Sequence, residues 1–144
     1  MSTIDDLTEQ EARLIAADFA EHVLWIFEED YPDDHRPRQA IEAAREFARG
    51  EIKEKHLYAA RDVAWYGALE VGRDGPVSWI AGPRDAAWSA TLAAWGSVSA
   101  TMDAAEDAAA SGPAGYACGA EERGNERAWQ RQRIDEVVAA RGQA

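Results

Sequence analysis

A chain of 144 residues carrying 27 acids against 15 bases, net charge −12, is long enough for one core without staples. It lacks the clustered Lys and Arg that phosphate contacts need, which argues against nucleic acid as a partner. A basic protein partner is compatible with that balance, and so is acidity that only maintains solubility.

Cys118 is the only cysteine, so neither an intramolecular disulfide nor a thiolate metal cluster is expected. The opening MSTIDDLTEQEAR has no basic segment followed by an apolar run, and no apolar stretch approaches the roughly 20 residues of a membrane span. The expected location is the cytoplasm. Hydrophobic residues make up 47%, but many are alanine, and the bulk lies in six tryptophans, four tyrosines and three phenylalanines. The composition predicts a tryptophan core between closely spaced alanine-rich helices.

Helix one is predicted over 8–30, opened by a Thr8/Glu11 capping box and carrying the stripe Ile15, Phe19, Val23, Ile26. His22 at the edge of the stripe reads as a packed or rim residue. Glu28, Glu29 and Asp30 then oppose the macrodipole at the helix end, and Asp33 and Asp34 bring the count to five carboxylates in seven residues. Such a cluster either faces a basic partner or caps a turn, with Arg36 or Arg38 neutralising it; no calcium-loop spacing is present.

Helix two is predicted over 37–49, with proline in its first turn and Gly50 as a left-handed cap. Helix three, 53–71, has one stripe of Leu57, Ala60, Ala64, Ala68 and Val71 and a second of Tyr58, Trp65 and Leu69. Two apolar sides predict a central helix, in which a buried Asp62 would need a partner such as Arg61.

Residues 72–83 read as the longest loop, and Trp79 within it is a candidate contact if it does not pack back on the body. Helix four, 84–110, carries a seam of Trp88, Leu92, Trp95, Ser99 and Met102. Helix five, 114–141, is expected to kink near Gly124-Asn125 and to turn Trp129, Ile134, Val137 and Val138 inward, leaving Arg127, Arg131 and Arg133 for the acids of the 28–34 junction. The expectation is one domain over 1–144, frayed at 1–7 and 142–144.

Two stretches carry a family resemblance. Asp33-Asp34-His35-Arg36-Pro37-Arg38-Gln39-Ala40-Ile41-Glu42-Ala43-Ala44, closed by Arg49-Gly50-Glu51-Ile52, resembles the Imm-5-like immunity proteins, small bacterial proteins. The segment Glu126-Arg127-Ala128-Trp129-Gln130-Arg131-Gln132-Arg133-Ile134 resembles that family's closing helix. The resemblance implies a protein that masks a cognate toxin in the cytoplasm.

No catalytic spacing is visible. Cys118 has no histidine nearby, there is no H-E-x-x-H, and no glycine-rich loop follows a strand. The reading is an all-α bundle of about five helices that binds rather than catalyses, without cofactor or metal. Its binding residues are Glu28, Glu29, Asp30, Asp33, Asp34 and Trp79. The alternative is a small helical enzyme or ligand-binding protein of a biosynthetic pathway. Its pocket would be lined by Trp65, Trp88, Trp95 and Trp129, with Asp62 as the acid.

Overall fold

The computed structural model describes residues 2–71, 77–111 and 119–141, with the backbone alone at 77–80 and 119–120. Among them are a 3-10 turn, Ile4–Asp6, and six α-helices: α1 Glu9–Asp30, α2 Arg36–Ala48, α3 Glu54–Glu70, α4 Val77–Trp95, α5 Val98–Ser111 and α6 Gly119–Ala140. The described residues contain no strand.

Local chemistry sets several of the helix ends. Thr8 accepts a hydrogen bond from the Glu11 amide at 3.2 Å, and Glu11 accepts one from the Thr8 amide at 2.9 Å, so two orphan donors of α1 are satisfied. After α2, Gly50 takes φ 75°, and the Glu51 amide reaches back to the Glu46 carbonyl. That pair is a Schellman stop.

The predicted helix over 84–110 is two helices. Gly96, at φ 81°, repeats the same stop, with the Gly96 amide donating to Ala93 and the Ser97 amide to Leu92. Ser97 then caps α5, accepting weakly from the Ala100 amide at 3.4 Å. A side chain at position 96 would meet the movable end of Arg13 at 2.8 Å, so the left-handed backbone is what calls for glycine here.

Two other boundaries also differ from expectation. α4 begins at Val77, which shortens the supposed 72–83 loop and places Pro83 inside the helix, where the ladder loses one donor. α6 runs unbroken through Gly124, whose surroundings are open. The expected start at 114 lies outside the described residues, as do Cys118 and 142–144.

The centre of the bundle is α4, packed on α1, α2, α3 and α5. α3 packs mainly on α2 and α4. Its second apolar stripe faces outward: Tyr58 and Leu69 are exposed and Trp65 is half-buried, with Val63 and Tyr66 exposed beside them. Two apolar sides therefore mark a helix with an uncovered aromatic face, not a central one.

The main core is alanine filled out by Phe27, Leu24, Ile26, Ile41 and Leu57, with Ala16, Ala17, Ala20, Ala86, Ala87, Ala90 and Ala93 at 0% exposure. The buried hydroxyls of Ser89 and Thr91 donate to the carbonyls of Ala86 and Ala87. A second cluster joins Ile15 and Phe19 of α1 to Ile134 of α6, with Ile4, Leu7, Met102 and Trp129 packed around it.

A tryptophan core is not what forms. Trp25 and Trp95 are 52% and 53% exposed, Trp65, Trp88 and Trp129 are partly exposed, and the Trp79 side chain lies outside the described residues. Alanine interfaces bring the helices too close to leave room for indoles between them.

Phe27 and Trp25 thus make a sharp contrast on one helix. Phe27→Ala is expected to lower stability by about 3–5 kcal/mol in chemical denaturation, through lost burial and a residual cavity. Trp25→Ala should stay within about 0.5 kcal/mol of the parent. The reverse order would return tryptophan to the core.

Candidate functional site

The corner between α1 and α2 sorts its five carboxylates into two kinds. Arg38 donates to Glu28 through Nε at 2.8 Å and Nη2 at 2.6 Å, a bidentate pair. Arg36 grips Asp34 in the same way, at 2.9 and 2.7 Å, and its Nη2 also reaches Glu70 of α3 at 2.9 Å. The Arg36 amide donates to Asp34 at 3.1 Å, so Asp34 also serves the first turn of α2. The arginine hydrogen bonds hold the carboxyls of Glu28 and Asp34 below their ordinary pKa.

Glu29, Asp30 and Asp33 are different. All three are exposed, and none has a hydrogen bond or ion pair with a described residue. Glu29 and Asp30 stand on the last turn of α1, which has no basic residue to offset them. Asp30 and Asp33 line a shallow groove of about 480 Å³ with Tyr31, Pro32, Asp34 and Arg36. Exposed Trp25 lies one helical turn before Glu29, on the same side of α1. Sequence reasoning missed it, although its place off the Ile15-Phe19-Val23-Ile26 stripe was a visible sign.

The other candidate residues fall into two places. Trp65 meets Trp88 with centroids 4.7 Å apart and Trp95 at 6.2 Å, on the outer face of α3 and α4. Asp62 lies at the rim of this face with its side chain 61% exposed, paired with Arg61 at 3.0 Å. It is not the buried acid that a central α3 would have held.

Trp129 is elsewhere. It stacks on His22 at 3.5 Å with planes 5° apart and meets Phe19 edge-on at 5.9 Å. It lines a separate groove with Asp18, Glu21, His22 and Arg133.

His22 is tied to this second place by a 2.7 Å hydrogen bond between its Nδ1 and Glu126, which is only 5% exposed. Gln130 donates to Glu126 at 3.4 Å and to the Met102 carbonyl at 3.2 Å, while its own Oε1 is buried without a partner. The arginines of α6 do not reach the 28–34 junction. Arg127 pairs with Glu106, and Arg133 with Asp18 and Glu136. Among the described residues, no three His, Cys, Asp or Glu side chains converge as metal ligands would, and no helix is long and apolar enough to cross a membrane.

With this geometry in place, the comparisons are few. The family described as Imm-5 like putative immunity protein matches residues 2–65. The matched segment runs through α1 and α2 into α3 and contains the whole acidic corner; it leaves out 126–134, the second stretch on which the resemblance rests. No curated protein and no solved structure matches the chain.

Asp85 gives a pH signature away from the corner. It lines a groove of about 390 Å³ with Ala68, Leu69, Val71, Arg84 and Trp88, and burial raises its pKa from 3.8 to about 6. Arg84 and Arg123 counter part of that rise, and Asp107 adds to it. Since the folded value is the higher one, the stabilising effect of its proton is complete below about pH 3.8 and is lost as pH rises through about 6. Asp85→Asn should therefore match the parent in melting temperature near pH 4 and exceed it at pH 7. A constant difference across that window would contradict the assignment.

Proposed function

We propose that this protein is a cytoplasmic immunity protein that neutralises a bacterial toxin by binding it, not by catalysis, and that the acidic α1–α2 corner is the surface presented. Glu29, Asp30 and Asp33 meet Lys and Arg of a basic partner, with Trp25 beside them as an apolar anchor. Glu28 and Asp34, held by Arg38 and Arg36, keep the corner in shape.

The family match supports the class, because the corner lies wholly inside the matched residues. The observation that carries the site is the split among the five acids. Two have taken an arginine, while three remain unpaired among the described residues, two of them on a helix end where negative charge is unfavourable. A cost accepted in the free protein and relieved on contact with a cation is the pattern expected of a binding surface.

Such charges act mainly on the rate of encounter, and their reach is about 8 Å at physiological salt. The triple variant Glu29→Gln/Asp30→Asn/Asp33→Asn should slow association with the product of the adjacent gene about tenfold at low salt. It should also flatten the dependence of the rate on salt, and its melting temperature should equal or exceed the parent's. An unchanged rate and salt slope would remove the corner from the interface.

A further inference from the structure

We propose that the outer face of α3 and α4 holds a second binding site, one for a small organic ammonium ion, formed by Asp62, Trp65, Tyr66 and Trp95. These four residues line an open groove of about 370 Å³, enough for an alkylammonium of several carbons. Tyr66 is 63% exposed and Trp95 53%, so the groove presents aromatic faces to solvent rather than burying them. The planes of Trp65 and Trp95 lie within 14° of each other with centroids 6.2 Å apart, so the two stacked indoles form one aromatic shelf along the groove.

The chemistry of the ligand follows from three observations. A positive charge within about 6 Å of an aromatic centroid is attracted by the ring quadrupole. Arg61 already responds to that field, with its guanidinium carbon 4.5 Å from the Tyr58 ring and 5.2 Å from the Trp95 ring. The Asp62 carboxylate at the rim gives only Oδ1 to Arg61, leaving Oδ2 without a partner among the described residues. An anion would meet Asp62 and a chain of net charge −12. A neutral ligand would gain no charge attraction from the carboxylate or the ring quadrupoles. A cation uses both.

Arg61 makes the site falsifiable in two directions. It competes for the carboxylate and for the ring of Trp95, so removing its charge should strengthen binding. Removing the charge of Asp62 should weaken it. A groove that is merely apolar would respond to neither change.

The probe is choline, set against its neutral isostere 3,3-dimethylbutan-1-ol, in which carbon replaces the ammonium nitrogen. The readout is the indole N–H resonances of the full-length chain, with those of Trp65 and Trp95 assigned through Trp65→Phe and Trp95→Phe. Choline should move both signals saturably in the millimolar range, with the alcohol about two- to fivefold weaker, the discrimination an exposed cation–π site provides. Asp62→Asn should weaken choline by a similar factor and Arg61→Gln should tighten it, with the backbone spectra confirming that both variants fold. No saturable shift, an equal response to the alcohol, or weaker binding by Arg61→Gln would each overturn the site. None of these outcomes bears on the acidic corner, which shares no residue with this groove.

Discussion

Where α1 meets α4, both helices contribute alanine: Ala16, Ala17 and Ala20 from the first, Ala86, Ala87, Ala90 and Ala93 from the second, all fully buried. Each methyl group buries little area, so the contact gains its strength from density, many short-range attractions between closely spaced backbones. This close approach settles where larger groups can go. Phe27, Leu24 and Ile41 fill the gaps beside the alanine seam, Phe19 and Ile134 make a second cluster under α6, and of the indoles Trp88 and Trp129 pack against the edges of these clusters while Trp25 and Trp95 are exposed. The centre holds the phenylalanines Phe19 and Phe27, and the larger indoles stay at its edge or on the surface.

The same geometry explains how the acidic corner is held. Pro37, Ala40 and Ile41 of α2 are buried, the last two in the main core, fixing the helix that carries Arg36 and Arg38. Arg36 then spans from Asp34 to Glu70 across the bare backbone of Gly67, where an added side chain would sit 3.1 Å from the guanidinium. One side chain thus ties the turn to the end of α3, and a larger residue than glycine at 67 would push against it. The free carboxylates stand on a braced frame, which reduces the conformational freedom of the turn that carries them.

Much of the architecture was legible because it is local. The Thr8/Glu11 box and Gly50 are written within a few residues of the ends they set, and the helical period is visible throughout. The break at Gly96-Ser97 was equally local, a stop glycine followed by a capping serine, yet the Trp88-Leu92-Trp95-Ser99-Met102 seam ran across it and masked it. Side-chain partnerships were less visible. Glu126 finds His22 at a separation of 104 positions and Arg133 finds Asp18 at 115, and no spacing rule reaches that far. For the acidic cluster, the sequence marked the five residues but not which of them would be claimed by arginine, since that depends on how α2 is turned against α1. The tryptophans were misjudged for a related reason: their size argued for burial, and the narrowness of the alanine interfaces argued more strongly against it.

The unpaired charges of the corner also bear on how copies of this chain meet one another. A two-fold symmetric contact places the same patch on both sides, so a corner-to-corner pair would bring two sets of Glu29, Asp30 and Asp33 face to face. No described lysine or arginine stands free among them to bridge the pair, because Arg36 and Arg38 are already engaged. The patch is therefore self-repelling, and charge sets it against a symmetric pairing through this face.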